Sequence, residues 1–253
     1  MLMDRTVPSR APTAHDGTTG ATRLRSRSVA QPIPAPDCVL VAGATGLIGR
    51  ELLRLLSARP AVEIHLLLRR PLTEPPPTMV VPHVVDFRTL PPMPPASEAY
   101  CALGTTIRAA GSQQAFRAVD LDAVVAVARA AHRAGTRRLA VVSSLGASPH
   151  ARGFYSRVKG EMEAALSAIG FEQLVIARPS LLVGDRRTIG QPDRPGERLA
   201  LALARPIAGL LPAGLRPIKA ENVARAMLAA MTTDRRPGLR VLDSAELQRL
   251  GRA

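Results

Sequence analysis

Aromatic side chains are scarce in this chain, which has no tryptophan, two tyrosines and four phenylalanines. Proteins that bind single-stranded nucleic acid commonly stack bases on aromatic rings, so this scarcity counts against that class. Hydrophobic residues nevertheless make up 46% of the sequence. The core must therefore be built from Ala, Val, Leu and Ile, and 253 residues suffice for one α/β domain.

Lysine is nearly absent and occurs only at positions 159 and 219, although the chain has a formal net charge of +14. A clustered basic face supplies most non-specific affinity for phosphates. Here the arginines are scattered along the whole chain and form no run of like charge. We therefore expect no nucleic-acid partner, and we attribute the charge to an arginine-rich composition.

Cysteines and long apolar runs are also few. Cys38 and Cys101 lie in apolar stretches without metal-ligand spacing, which indicates buried thiols in a reducing compartment. The N-terminal stretch lacks the apolar centre of a secretory signal. Residues 199–215 are apolar but contain an arginine and two prolines, which predicts a helix, a break and a second short helix. We expect a cytoplasmic protein without an integral membrane segment.

Residues 1–36 are rich in Pro, Ser, Thr, Arg and Gly and show no apolar periodicity, which predicts a disordered tail. From residue 37 onward, short apolar runs alternate with amphipathic stretches. This alternation is typical of βα units around a parallel sheet. The predicted fold class is therefore α/β, a doubly wound Rossmann-type parallel sheet over residues 37–253, with a small C-terminal substrate-side segment from about residue 179.

The pattern predicts seven strands, at residues 38–42, 63–68, 79–85, 99–103, 139–143, 173–177 and 240–242. Helical spacing occurs at 47–58, 113–134 and 155–169. Gly135 and Gly170 follow the last two as C-terminal stops. The proline-rich stretches 71–77 and 91–95 predict loops.

A glycine motif joins the first strand to the first helix and reads Gly43-Ala-Thr-Gly46-Leu-Ile-Gly49. Gly43 would allow the turn, Gly46 would admit a pyrophosphate to the backbone N–H groups, and Gly49 would let the helix pack on the strand. The spacing also fits a turn without a ligand, but the flanking strand and helix favour a dinucleotide. The same predicted cofactor loop includes Thr45, Leu47 and Ile48.

The second predicted strand ends at Arg69 and Arg70, where a protein that binds NAD places an acidic residue for the ribose hydroxyls. Guanidinium groups suit the bidentate geometry of a 2′-phosphate, so we expect NADP(H) in preference to NAD(H). A pair of solvated surface arginines is the alternative. Asp86 follows the third strand and is a candidate acceptor for the adenine amine, or else a carboxylate in a surface turn.

Tyr155 and Lys159 open a predicted helix one turn apart, so their side chains share a face. A neighbouring ammonium would favour the phenolate of a tyrosine, whose ordinary pKa is about 10. Tyr155 is therefore the candidate proton donor or acceptor for hydride transfer between a nicotinamide and a carbonyl carbon. Ser144 would orient the carbonyl oxygen of the substrate, and Ser143 is the alternative residue for this role. A helix start with a snorkelling lysine is the alternative.

Other ionisable residues are assigned no chemistry. The five histidines, at positions 15, 65, 83, 132 and 150, show no pairing at helix or hairpin spacing, so we expect no metal site. Glu161 and Glu163 follow Lys159 on the same predicted helix and are expected to be exposed ion-pairing residues.

Eight short segments, in their order along the chain, are the basis for a family resemblance. They are residues 41–49, 68–70, 85–87, 101–106, 142–147, 155–161, 177–179 and 194–197. Together they resemble the atypical short-chain dehydrogenase/reductase family, and most closely the Tat-interacting-protein-like NADPH-binding oxidoreductases. The likeness covers roughly residues 37–250. It implies a doubly wound sheet that binds NADPH, with Arg69 and Arg70 at the 2′-phosphate. Leu103 and Gly104 would line the cofactor, and Leu182 would lie near its nicotinamide end.

The resemblance also implies that Tyr155 and Lys159 are the proton-transfer pair. Many relatives carry an asparagine on the fourth helix, which steadies the lysine through water, whereas this sequence offers Asp120. The proton relay of the family would therefore differ here. Some relatives in the group sense or bind the cofactor without turnover.

Three functions follow from these observations. The leading hypothesis is an NADPH-dependent oxidoreductase that acts on a small carbonyl or alcohol. The sequence does not decide its oligomeric state, and a homodimer is one possibility. The second is a non-catalytic NADP(H)-binding redox sensor or assembly protein. The third is a nucleotide-sugar epimerase, although a C-terminal segment of about 75 residues leaves little room for a nucleotide-sugar domain.

Overall fold

The structure is a computed structural model that describes residues 37–74, 76–183, 212–233 and 235–252. The predicted tail, and residues 199–211 of the predicted helix-break-helix segment, lie outside these residues. Of that segment's end, residues Ala213–Leu215 form a 3-10 turn. Among the described helices, none is both long and apolar enough to cross a membrane.

Nine strands are described: β1 Asp37–Ala42, β2 Val62–Leu68, β3 Val80–Val84, β4 Glu98–Cys101, β5 Arg138–Val142, β6 Gln173–Ala177, β7 Leu182–Val183, β8 Ile218–Lys219 and β9 Gly238–Leu242. The described helices are α1 Leu47–Ser57, α2 Ile107–Ala110, α3 Gln113–Arg117, α4 Val124–Arg133, α5 Phe154–Ser167, α6 Ala220–Thr232 and α7 Ser244–Leu250. A π-helical segment, Ala118–Ala123, joins α3 to α4.

Seven parallel strands form the main sheet in the order β3-β2-β1-β4-β5-β6-β9. The chain moves outward from β1 to β3 and then returns to place β4 on the other side of β1. The strand order therefore reverses between β1 and β4, where open α/β sheets bind ligands beyond the carboxyl ends of the strands. The predicted doubly wound parallel sheet is confirmed. Strands β7 and β8 pair separately.

Both faces of the sheet are covered by apolar side chains. On one face, Val39, Val41 and Ile64 belong to a buried cluster that includes residues of α1, α6 and α7. On the other face, Leu40 and Ala42 belong to a second cluster with residues of α4 and α5. Alternate residues of β1 thus point to opposite layers, and burial on both faces explains its continuous apolar sequence.

The predicted strands of the main sheet are all present, with ends that differ by one or two residues. The predicted helix over 113–134 comprises α3, the π-helical segment and α4. Its extent was predicted correctly, but it is interrupted by π-helical geometry and is not one continuous α-helix. The pattern missed α2, α6 and α7, although Asp243 caps the start of α7. It also missed β7 and β8, which at two residues each are too short to show an alternating pattern.

Candidate functional site

The turn after β1 depends on glycine at two of its three motif positions. Gly43 has a φ of +86°, and a Cβ there would lie 2.5 Å from the carbonyl carbon of Ala102 in the segment after β4. A Cβ on Gly49 would lie 2.0 Å from the Gly43 oxygen. At Gly46, by contrast, the nearest protein atom would be 3.4 Å away. The protein itself thus requires Gly43 and Gly49, whereas a Cβ at Gly46 would make only an ordinary van der Waals contact with the protein.

Helix α1 begins directly after this turn. Its N-cap, Gly46, makes no side-chain capping bond, and no acidic residue lies in its first turn. The first backbone N–H groups of a helix have no intrahelical acceptor and carry the positive end of the helix dipole. Thr45 is exposed, and the side chain of Ile48 is buried. The start of α1 can therefore receive an anion such as a diphosphate.

Arg69 and Arg70 follow the end of β2 and are both exposed. Because β2 pairs with β1, they lie at the same edge of the sheet as the glycine turn. Asp86 follows β3 and accepts hydrogen bonds from the backbone N and the guanidinium of Arg88, at 3.0 and 2.9 Å. The Arg88 hydrogen bond lowers the pKa of Asp86, so this carboxylate is ionised and already has a partner.

A buried ion pair lies where β4 leaves the sheet. Lys159 Nζ is 2.8 Å from Asp120 Oδ1, and the two side chains are 3% and 1% exposed. The backbone N–H of Thr105 donates to Asp120 Oδ2 at 2.8 Å. A Cβ on Gly104 would lie 3.3 Å from Asp120 Oδ1 and 3.8 Å from Lys159 Nζ, so Gly104 lies beside the pair.

Burial lowers the pKa of Lys159, but the charge of Asp120, with a smaller contribution from Tyr155, outweighs burial and raises it overall. The ammonium is therefore retained at neutral pH. Asp120 reaches it from the π-helical segment, in which the wider i to i+5 turn interrupts the α-helical spacing. Helical periodicity in the sequence does not predict this contact, and only the family resemblance drew attention to Asp120.

Tyr155 is the exposed member of the Tyr-Lys pair, at 38%. Its ring packs on the fully buried ring of Phe116, with centroids 5.4 Å apart. Phe154 packs on the same ring from a centroid distance of 5.9 Å. Phe116 on α3 was not among the predicted site residues, yet it supports the tyrosine at the start of α5.

Ser143 and Ser144 follow β5, and both side chains are buried. Within the described part of the chain, neither hydroxyl has a hydrogen-bond partner. A buried polar group without a partner costs about 1–3 kcal/mol, so such groups are retained where a ligand can satisfy them. The two hydroxyls are alike in this respect, and the choice between them stays open.

Two ion pairs connect helix α5 to other parts of the fold. Arg117 donates to Glu161 at 2.6 Å. Arg178, just after β6, donates to Glu163 through Nε at 3.0 Å. Glu163 is buried, so the prediction that it is exposed was wrong, although it does form an ion pair. Leu182, in β7, is partly buried and packs against the core on the α1 side.

His65 and His83 lie side by side, although they have neither helix nor hairpin spacing in the sequence. Nδ1 of His65 lies 2.8 Å from Nε2 of His83. Their spacing in the sequence conceals the contact, because it arises from pairing between β2 and β3.

Comparison with known proteins agrees with this geometry. A family model described as NAD(P)H-binding matches residues 43–198. Protein HTATIP2 of Rattus norvegicus is 34% identical over 224 residues, which cover 85% of this chain and 89% of that protein. The mitochondrial protein fmp52 of Emericella nidulans is 37% identical over 185 residues, or 68% of this chain and 75% of its own length.

Solved structures share the fold. MoeE5 in complex with UDP-glucose and NAD has a TM-score of 0.62 at 21% identity, covering 81% of this chain and 74% of that one. UDP-glucuronic acid 4-epimerase from Bacillus cereus, in complex with UDP-glucuronic acid and NAD, has a TM-score of 0.61 at 14% identity, covering 81% and 76%. At these identities the likeness concerns the fold alone.

Proposed function

This chain belongs to the NAD(P)H-binding family of the atypical short-chain dehydrogenase/reductase type, and from that premise we propose that it is an NADPH-dependent oxidoreductase. Its substrate in this proposal is a small carbonyl or alcohol. One observation carries the proposal: the glycine turn packs closely on Ala102 at Gly43, and two residues after Ala102 a Cβ on Gly104 would lie 3.8 Å from Lys159 Nζ. The glycine turn and the Tyr-Lys pair therefore serve one site at the carboxyl edge of the sheet.

The residues at this edge fit a nicotinamide dinucleotide. The backbone at Gly46, which carries no side chain, and the uncapped start of α1 would accept its diphosphate. Arg69 and Arg70 would bind a 2′-phosphate, and Asp86 would accept from the adenine amine. Leu103, Gly104 and Leu182 would line the cofactor toward its nicotinamide end.

The chemistry would take place beside Tyr155. When bound, the nicotinamide would give a hydride to the carbonyl carbon or accept one from the alcohol. Tyr155 would give or take the proton on the oxygen, and the retained charge of Lys159 would stabilise its phenolate. Ser144, or Ser143 in its place, would donate a hydrogen bond that orients the oxygen.

The two tyrosines of the chain provide a matched test. Tyr155→Phe should lower kcat by about 10²–10⁴-fold, the usual contribution of general acid-base catalysis, with little change in NADPH affinity. Tyr100→Phe, in the middle of the sheet, should keep both. The assay follows NADPH absorbance over a panel of carbonyl compounds. Full activity in Tyr155→Phe would show that the proton donor is another group.

Lys159 is tested together with its partner. Lys159→Ala alone leaves the Asp120 carboxylate buried without its cation, which can destabilise the fold by itself. The double variant Asp120→Ala/Lys159→Ala removes both charges and separates folding from catalysis. We expect the double variant to bind NADPH and to lose turnover, whereas turnover equal to wild type would remove Lys159 from the mechanism.

Cofactor preference is tested at the end of β2. Loss of a hydrogen bond to a charged group costs about 1.5–3 kcal/mol, so Arg69→Ala or Arg70→Ala should weaken NADPH binding by roughly 10–100-fold. NADH binding should not change. Arg129→Ala, an exposed arginine on α4, is the matched control. If neither variant at the end of β2 alters the ratio of the two affinities, the preference for NADP(H) is refuted.

A redox sensor or assembly protein that binds NADP(H) without turnover is the second candidate. The observation that favours it is the direct Asp120–Lys159 pair, because a carboxylate beside the ammonium offsets part of the charge that would stabilise a tyrosine phenolate. Tight NADPH binding without turnover on any tested substrate, unaffected by Tyr155→Phe, would support this candidate against the oxidoreductase.

A cytoplasmic location is part of the same proposal. The names of the FMP52 relatives assign them to mitochondria, so the two locations are direct alternatives. Cell fractionation, with detection of the untagged chain, distinguishes them. Recovery with mitochondria would refute the cytoplasmic assignment and leave the enzymatic proposal untouched.

A further inference from the structure

Three potential metal ligands converge near the amino ends of β1 and β2. The ligand atoms of Cys38, Glu63 and His65 all lie within 4.8 Å of one another. Nε2 of His65 is 2.8 Å from Glu63 Oε1. On its other side, Nδ1 of His65 is 2.8 Å from Nε2 of His83. The group thus contains one thiol, one carboxylate and two imidazoles.

The sheet brings these side chains together through its register. Cys38 pairs directly with Glu63 across β1 and β2. His65 is two residues further along β2, so it projects from the same face as Glu63. His83 on β3 is one diagonal step from His65, because Val81 is the register partner of His65. Strand pairing holds all four side chains on one face of the sheet.

This cluster is separate from the proposed cofactor site. Cys38 precedes Gly43 by five residues of extended chain, or about 16 Å along β1, and lies toward the opposite edge of the sheet. The histidine is buried, whereas the Glu63 side chain is 35% exposed, which gives an ion a route from solvent. None of the three ligands has a part in the proposed oxidoreductase chemistry.

We propose that Cys38, Glu63 and His65 form a zinc-binding site, with the thiolate sulfur, a carboxylate oxygen and Nε2 of the imidazole as its protein ligands. Thiolate and imidazole favour zinc over magnesium or calcium, which prefer oxygen ligands. Zinc–ligand bonds of about 2.0–2.3 Å place tetrahedral ligand atoms roughly 3.3–3.6 Å apart. Side-chain adjustments of about 1 Å would therefore close the group around the ion, and water would complete the tetrahedron.

His83 acts as a positioning residue in this site. If Nε2 of His65 binds the ion, Nδ1–H of the same ring donates to Nε2 of His83 and so sets the tautomer and orientation of the ligand.

Cobalt(II) titration of the tag-free full-length chain tests the site, because cobalt replaces zinc and absorbs light. We expect about one equivalent to bind with a thiolate-to-cobalt charge-transfer band, and added zinc to abolish that band. Cys38→Ser should lose the band. Cys101→Ser, which removes the chain's other thiol, should keep it. His83→Ala should retain the band and weaken binding by about 10–100-fold.

Glu63→Gln provides a second test at a partly exposed position, in case Cys38→Ser fails to fold. It should weaken cobalt binding at least tenfold while its melting temperature without metal stays near wild type. The proposal is overturned if the wild type shows no thiolate band, if the band persists in Cys38→Ser, or if it disappears with Cys101→Ser instead. Because no step uses NADPH, this result is independent of the oxidoreductase test.

Discussion

Replacement of Asp120 by asparagine tests the buried ion pair with almost no change in shape. In the wild type both carboxylate oxygens face donors, since Oδ1 lies 2.8 Å from Lys159 Nζ and Oδ2 accepts from Thr105 N at 2.8 Å. An amide has a single oxygen, so its NH₂ group must face one of these two donors. Asp120→Asn therefore removes the negative charge, and it also places the amide NH₂ group against another hydrogen-bond donor, either Lys159 Nζ or Thr105 N–H.

The expected cost follows from the burial of both partners. Removal of one member of a buried ion pair typically destabilises a protein by about 3–5 kcal/mol, because the remaining charge is left without compensation. For a domain of this size, 1 kcal/mol corresponds to roughly 2–4 °C in Tm. Asp120→Asn should therefore lower the melting temperature by at least about 6 °C.

The difference should also depend on pH in a defined direction. Burial alone would lower the pKa of Lys159. The charge of Asp120 outweighs burial, so the pKa of Lys159 lies above its ordinary value. The stability that the pair contributes is thus fully present below the ordinary lysine pKa of about 10.4 and is lost as pH rises through the folded-state value. In Asp120→Asn burial outweighs the remaining charges and lowers the pKa of Lys159. The difference in stability between variant and wild type should therefore be largest where both proteins retain the ammonium, and it should narrow as pH rises through the two folded-state values.

Thermal and urea unfolding, both followed by circular dichroism, measure the changes in Tm and in the free energy of unfolding, with Asp122→Asn as the matched control. Asp122 lies in the same π-helical segment and is exposed, so its substitution should change the free energy of unfolding by less than about 0.5 kcal/mol. If Asp120→Asn unfolds within about 1 °C of wild type, or if both variants lose equal stability, the buried pair does not have the energetic role inferred here.

Two further comparisons between variants follow from packing and burial. Gly49→Ala should lower the melting temperature, because its Cβ would lie 2.0 Å from the Gly43 oxygen, whereas Gly46→Ala should melt near wild type and weaken NADPH binding at least tenfold. Equal thermal losses in the two variants, measured by thermal melts beside fluorescence titration, would contradict this division of roles. Glu98→Gln should cost about 3–5 kcal/mol in urea unfolding, because the buried Glu98 carboxylate pairs with Arg59 and Arg138. Glu172→Gln, at a carboxylate that is 70% exposed, is the control, and a comparable loss there would argue against the burial effect.

Much of the fold was predictable because its signals are local. The apolar residues 38–42 and the glycine that follows them predict a buried strand and a turn, and the structure has β1 and Gly43 there. The strand order and the helices on both faces follow from repeated βα units. Helix α6 begins without a capping side chain, but so does α1, which was predicted, whereas α7 was missed although Asp243 caps it; capping signals therefore do not explain which helices were missed.

The site was only partly predictable, for a related reason. Tyr155 and Lys159 are one helical turn apart, so their proximity is contained in the sequence itself. Asp120 is 39 positions before Lys159, and the π-helical segment that brings it there breaks the periodicity from which a contact could be predicted. The burial of Glu163 beneath Arg178 likewise depends on how α5 meets the end of β6.

By itself, the sequence determined the chemistry available and its local geometry: a glycine turn between strand and helix, a tyrosine one turn before a lysine, and arginines at the end of a strand. Tertiary structure alone decided which groups distant in the sequence lie next to one another, as in the Asp120–Lys159 ion pair and the cluster of Cys38, Glu63 and His65. The physical reason is that spacing within one helix or strand fixes local neighbours, whereas register between strands and packing between helices depend on the whole core.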